Sequence, residues 1–226
     1  MYPQGALRQA VGPGLLVALV VLILSACGGS EKQAKVYALP GYQQALRPGT
    51  YRSEEFKPPL TFEVSKGWKN GPYESSDNFV ITWGDKPWGV GFATIDRAYK
   101  SSGKSSPNLA KAPQNLVGWF EHHPYLETSE PKPVTVGGIE GKQFDVVVGS
   151  LPEEYVGVCG AGCVDITRFS DGSLLAHTRG IKAHLIVLED VKGKPVLIGF
   201  SSQTSDFDKF APKAHNVVGS VEWPES

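Results

Sequence analysis

Lys182-Ala183-His184-Leu185-Ile186-Val187-Leu188, then Lys192-Gly193-Lys194, then Pro195-Val196-Leu197-Ile198-Gly199-Phe200-Ser201-Ser202: this stretch decides the fold. Two runs rich in branched and apolar side chains flank a short Lys-Gly-Lys turn, the pattern of two strands folded back on each other. Working outward, the same period-two signal recurs. Leu60, Phe62 and Val64 alternate with Thr61 and Glu63; Phe79, Ile81 and Trp83 alternate with Val80 and Thr82; Phe144, Val146 and Val148 alternate with Gln143, Asp145 and Val147. Successive side chains of a strand face opposite ways, so alternation marks strands with one face buried. Gly137-Gly138 and Asp171-Gly172 supply further hairpin turns.

Two segments carry helical spacing instead. Pro113 to His122 places Leu116, Trp119, Phe120 and His123 on one side, with Pro113 in a first turn and Pro124 closing it. Ser205 to Gly219 opens with a Ser205/Asp208 capping box and then lines up Phe207, Phe210, Ala211, Ala214 and Val218. Pro212 falls inside that run and predicts a break, with a short turn to Phe210 and a fresh helix from Pro212. A last short strand, Val221 to Trp223, is expected to rejoin the sheet. The expected architecture is α+β: a mainly antiparallel sheet of about seven strands with two or three helices packed on it.

The amino terminus gives an address. Arg8 is the single charged residue of the first twenty-six, an apolar run from Leu15 to Leu24 follows, and small residues precede Cys27. A positive start, a short apolar stretch and a small-residue cleavage site form a secretory signal. A permanent span needs about 20 apolar residues, and Gly28, Gly29, Ser30, Glu31 and Lys32 come directly after this run. Leu24-Ser25-Ala26-Cys27 resembles the lipobox of bacterial prolipoproteins. That resemblance implies cleavage before Cys27 and a diacylglyceryl group on its thiol, so a membrane is the first expected partner. Each buried methylene contributes about 0.8 kcal/mol and two or three acyl chains hold firmly. The expected location is outside the cytoplasm, on the outer face of the cell membrane or on an envelope membrane facing the periplasm. Residues 27–49 are Gly, Ser, Lys, Gln and Ala with scattered Pro, read as the lipidated terminus and a flexible tether, with Tyr37, Leu39, Tyr42 and Leu46 in Val36 to Leu46 suited to pack part of it against the domain. About 20 such residues span roughly 25 Å. Residues 50–226 then make one globular domain, long enough to bury a core without staples.

Charge and cysteines narrow the function. The formal net charge is −1, and loss of Arg8 with the leader takes it to −2, far from the basic face that nucleic acid demands. Besides Cys27 the chain has Cys159 and Cys163, enclosing Gly160-Ala161-Gly162. That spacing fits a redox pair, half of a zinc site or a small-loop disulfide. Zinc lacks a second cysteine pair, the redox motif has two intervening residues, and export favours the disulfide.

No catalytic motif stands out. His122 and His123 beside Glu121 point about 100° apart on a helix and form no His-Glu-x-x-His frame, so no metal site is expected. His177, His184 and His215 are isolated in sequence. Ser150, Ser173 and Ser220 lie outside any Gly-x-Ser-x-Gly, and Gly89-x-Gly91 and Gly160-x-Gly162 lack a following helix for phosphate. These glycines read as close backbone packing and as the cysteine loop. Trp88 follows Gly84-Asp85-Lys86-Pro87, a loop that would present its indole to a ligand or partner.

The phrases Pro58-Pro59-Leu60-Thr61-Phe62-Glu63-Val64 with Gly67-Trp68, Trp119 to Pro124, and Val217-Val218-Gly219-Ser220-Val221-Glu222-Trp223 are similar to a group of uncharacterised bacterial lipoproteins. Their element order resembles the Mog1/PsbP-type α/β/α sandwich over about residues 50–224, whose members mostly act as binding or accessory modules. The expectation is a lipid-anchored extracytoplasmic binding or protein-interaction module for an unknown protein or small molecule, with no cofactor and no chemistry of its own. An extracytoplasmic hydrolase with a site assembled from distant residues, and an envelope assembly or stress accessory factor, are the alternatives.

Overall fold

The computed structural model describes residues 35–100 and 108–224. The expected leader 1–26, the lipid site Cys27 and the first part of the tether lie outside the described residues. In chain order the first strands are β1 (Val36–Ala38), β2 (Gly49–Arg52), β3 (Thr61–Val64), β4 (Trp68–Glu74), β5 (Asn78–Trp83) and β6 (Gly89–Thr94). A small hairpin, β7 (Arg97–Tyr99) and β8 (Leu109–Lys111), leads to helix α1 (Leu116–Glu121). Then come β9 (Leu126–Thr128), β10 (Lys132–Val136) and β11 (Ile139–Val148), followed by two hairpins, β12 (Val156–Gly157) with β13 (Gly160–Ala161) and β14 (Cys163–Arg168) with β15 (Leu174–Thr178). The long strands β16 (Ile181–Val191) and β17 (Lys194–Gln203) precede helix α2 (Phe207–Gly219).

The main sheet runs β10-β11-β16-β17-β6-β5-β4, with β9 also on β11, eight strands paired antiparallel throughout. At its centre β16 turns into β17 through Lys192 and Gly193, both left-handed at φ 55° and 86°, as a tight hairpin requires. Gly137 and Gly138, at φ 57° and 80°, do the same between β10 and β11.

Helix α2 covers one face. Ile81, Val90, Phe92, Ile186, Ile198 and Phe200 of the sheet form a continuous apolar layer with Phe207, Phe210, Ala214, Val217 and Val218 of the helix. The small sheet β1-β2-β3 closes the side of that layer with Tyr51, Phe62 and Val64. On the opposite face Phe144, Val146, Ala183, Leu185 and Leu197 pack against Leu116 and Phe120 of α1 and against Val164 and Ile166 of β14. The chain is therefore an α+β domain built on a mainly antiparallel sheet with two α-helices. No helix among the described residues is long and apolar enough to cross a membrane.

Three expectations are corrected. Helix α2 passes through Pro212 without a break. Proline removes one hydrogen bond, to the carbonyl of solvent-exposed Asp208, while five side chains of one stripe stay buried and hold the helix together. Its cap is Asp206 after a 3₁₀ turn, without a side-chain capping bond, so no Ser205/Asp208 box forms. Of the Val221–Trp223 strand only a bridge remains, with Glu222 and Thr61 exchanging backbone bonds of 2.9 Å, so it joins β3 rather than the main sheet. Of the stretch 27–49, residues 35–49 pack on the domain, as the apolar residues of Val36 to Leu46 suggest. β1 pairs in parallel with β2, Leu46 is 3% exposed, and Gln43, Gln44 and Leu46 make backbone bonds to Trp68 and Asn70 at the edge of β4.

Candidate functional site

On the face away from α2, the alternate positions of β5, β6 and β17 include Val80, Thr82, Gly89, Gly91, Gly199 and Ser201. These side chains are too small to fill the layer above them. All six are half-buried, and all six line a groove of about 470 Å³. Its roof is the β14–β15 hairpin, which contributes Phe169 and the stretch Ser173–Thr178. The remaining wall includes Pro72, Asn78, Pro87, Ala93, Ile181 and Leu185. Among the described residues no acidic, lysine or arginine side chain lines it, and its histidine, His177, is pushed down to a pKa of about 4 by burial and by His123, so the described lining is uncharged at neutral pH. Volume, apolar walls and a few hydroxyl and amide groups are the features of a small-molecule site.

The roof is fastened to the floor at one end. Asp77 accepts from the Ser170 N–H and hydroxyl at 2.8 Å each, and the Asn78 amide donates to the Ser173 hydroxyl at 3.3 Å. Burial works to raise the Asp77 carboxyl, but bonds from Ser75 and Ser170 outweigh it and hold the pKa below the usual carboxylate value. At the side of the hairpin the Thr167 hydroxyl donates to the Arg97 carbonyl at 2.6 Å. The turn that lets Ser170 and Ser173 reach β5 is Asp171-Gly172, with Gly172 at φ 85° and the Asp171 carboxylate accepting from the Ser173 N–H.

Trp88 is not a recognition surface. It is 8% exposed, stacked parallel to Trp83 at 6.0 Å between centroids and packed on Phe210 of α2 at 5.7 Å. The physical reason lies in its parity: Trp88 shares a face with Val90 and Phe92, the face that α2 covers. Lys213 of the same helix sits 4.8 Å over the Trp83 ring and seals the pair from above.

The cysteines meet as a disulfide across 6.2 Å between their Cα atoms. Asp165 brings a carboxylate near both sulfurs, a set that could be mistaken for metal ligands. Its oxygens are already occupied, accepting from the Val158 N–H at 2.6 Å and the Cys159 N–H at 3.1 Å, so the buried acid ties down the disulfide loop. Ser173 and Ser220 bond to Asp171, Asn78 and backbone groups, and among the described residues neither bonds to a histidine.

Two histidines that look isolated in sequence are not. The pairing of β11 with β16 sets Asp145 opposite His184, and His184 Nδ1 lies 2.7 Å from Asp145 Oδ1. Its Nε2 lies 3.1 Å from the Gln143 amide, Lys182 pairs with Asp145 at 2.7 Å, and the His215 ring sits 5.3 Å away. Burial works to raise the Asp145 carboxyl, but Lys182 and His184 overcome it and hold the pKa down. With both ring nitrogens engaged and the ring flat on Phe200, His184 closes the edge of the α2 layer. The cluster lies on the far side of the sheet from the groove.

No protein-family model matches the chain, and no curated protein matches it by sequence. Among solved structures it is similar to the cyanobacterial PsbP protein CyanoP from Synechocystis sp. PCC 6803. The TM-score is 0.40 at 11% identity, over 89% of this chain and 99% of that one. It is also similar to LpqN, described as involved in cell envelope biogenesis of Mycobacterium tuberculosis, with a TM-score of 0.35 at 10% identity, over 80% and 89%. Likenesses of this degree assign neither a family nor a function.

Proposed function

We propose that the chain is a lipid-tethered, extracytoplasmic binding module that takes an uncharged, largely apolar ligand into the groove between the β5-β6-β17 floor and the β14–β15 roof. The address rests on the leader and on Leu24-Ser25-Ala26-Cys27. The binding role rests on one observation, a groove of about 470 Å³ with no acidic or strongly basic side chain among the described residues that line it. A buried charge without a partner is costly, so an uncharged groove selects against charged ligands. The hydrolase alternative finds no support in the histidines: His184, the one paired with a carboxylate, has both nitrogens bonded and faces away from the groove.

Binding is tested with N-phenyl-1-naphthylamine, whose fluorescence rises in apolar surroundings, added in detergent-free buffer to full-length protein carrying Cys27→Ser. Saturable enhancement at about one probe per chain is expected. Fluorescence that rises linearly, without saturation, would remove the groove as a ligand site.

A further inference from the structure

One corner of the molecule gathers positive charge that the fold leaves unpaired. Leu46 donates its N–H to the Trp68 carbonyl and Gly84 donates its own to the Gly67 carbonyl. Arg47 therefore lies to one side of Lys66-Gly67-Trp68-Lys69 and the Gly84-Asp85-Lys86-Pro87 turn to the other. Lys213 of α2 reaches the same place, 4.8 Å over the Trp83 ring, and Lys86 sits 5.7 Å over the ring of Trp88, which stacks on Trp83. Their stems lie along the indoles and leave the ammonium heads toward water. Arg47, Lys66, Lys69, Lys86 and Lys213 thus meet one acid in these segments, Asp85, and Asp85 is paired with Lys69. The other four form no ion pair among the described residues. Arg47, Lys66 and Lys86 are exposed and Lys213 is half-buried. In a chain of net charge −1 that is a pronounced local excess.

The chain enters the domain at this corner. β1 and β2 are parallel, with Val36 opposite Thr50, so the end at which the chain enters β1 is the end at which Arg47 leads into β2. β3 runs the other way, Val64 pairing with Gly49, and leaves at that end toward Lys66. Lys35 stands exposed at the entry, and no acidic residue occurs from Lys32 to Ser53. Cys27 precedes Lys35 by eight residues, at most about 28 Å of extended chain. A domain of this size is about 40 Å across. An anchor on Cys27 therefore keeps the entry end near its membrane, because the tether is too short to pass to the far side.

We propose that this corner docks on the anionic phospholipid headgroups of the membrane that holds the lipid anchor, with Arg47, Lys66, Lys86 and Lys213 meeting the phosphates. This rests on the reading of the chain as lipid-tethered and is independent of the groove. Each base near an anionic leaflet favours contact roughly fivefold, an effect that fades over a screening length of about 10 Å. The anchor makes that contact an intramolecular event, so charges too few to recruit a free protein suffice to orient a tethered one. A soluble acidic protein would meet the same charges, but nothing ties such a partner to the entry end of the chain.

The test uses the acylated protein purified from the envelope and reconstituted into vesicles of phosphatidylcholine alone or of phosphatidylcholine with phosphatidylglycerol. Flotation with the neutral vesicles checks the tether. Labelling with acetic anhydride under single-hit conditions, read by mass spectrometry, then gives the reactivity of each lysine. Lys66, Lys86 and Lys213 should react roughly fivefold or more slowly on the phosphatidylglycerol vesicles. Lys132 and Lys142, toward the opposite edge of the main sheet, should react alike on both. The protection should vanish at about 1 M salt, where the screening length is about 3 Å. Lys66→Glu with Lys86→Glu should return Lys213 to its rate on neutral vesicles. Lys132→Glu with Lys142→Glu, the same change of charge placed far from the corner, should leave Lys213 protected. Protein that fails to float removes the tether and this proposal with it. Protein that floats but labels equally on both vesicles, or shows the protection shared by Lys132 and Lys142, overturns the docking face alone and leaves the tether standing.

Discussion

The two faces of β5, β6 and β17 share the same three backbone segments, yet they carry opposite chemistry. Toward α2 stand Phe79, Ile81, Val90, Phe92, Ile198 and Phe200, none more than 1% exposed. Toward the groove stand Val80, Thr82, Gly89, Gly91, Gly199 and Ser201, all half-buried. Fully burying a large apolar side chain stabilises by about 1.5 to 3 kcal/mol, so the packing energy of these strands comes mainly from the α2 side, with Leu197 as the large buried side chain of the other face. The groove side contributes little, and a strand glycine there even subtracts. One face makes the fold, and the other is left available by residues that a purely structural sheet would not choose.

That contrast can be broken most sharply at Trp88. Its truncation to alanine should cost about 3 to 5 kcal/mol, because it removes a ring packed between Trp83 and Phe210. Denaturant unfolding reads the loss directly, and an unchanged midpoint would put the indole back on the surface. Acid offers a second comparison, aimed at the layer over the open face. Burial lowers His177 from 6.5 to about 4, so below pH 6.5 the unfolded chain takes up a proton that the folded chain refuses. The stability is present above that range and is lost as the pH falls toward 4, by about 2 kcal/mol for His177 alone between pH 7 and pH 5. His123, also lowered to about 4 by burial, acts in the same direction. Urea midpoints that coincide at the two pH values would show that these rings are not held neutral. The smallest effect belongs to Val80→Ala, next in sequence to fully buried Ile81. It should cost less than about 1 kcal/mol, and a loss as large as that of a core residue would mean that the open face is packed after all.

The strands, their turns and the helix that ends before Pro124 were legible because each is a local pattern: alternation, a left-handed dipeptide, a proline stop. Helix α2 shows where local rules lose, since the burial of Phe207, Phe210, Ala214, Val217 and Val218 outweighs the proline among them. Trp88 was legible in principle. Its parity with Val90 and Phe92 marks the buried face, but the flanking Gly-Asp-Lys-Pro loop pulls the expectation toward solvent. The groove was not legible, because Gly91 and Gly199 mean nothing until β17 is laid beside β6 in register. Asp145 and His184 likewise meet only through the pairing of β11 with β16.

The stretch from Gln43 to Leu46 has a consequence beyond its place in the fold. By bonding to Trp68 and Asn70 it caps the outer edge of β4, the last strand of the main sheet. A bare edge presents a row of unsatisfied amides and carbonyls to any neighbour. With the Trp68–Asn70 part of that edge occupied by its own chain, the first half of β4 offers no template for copy-to-copy strand addition.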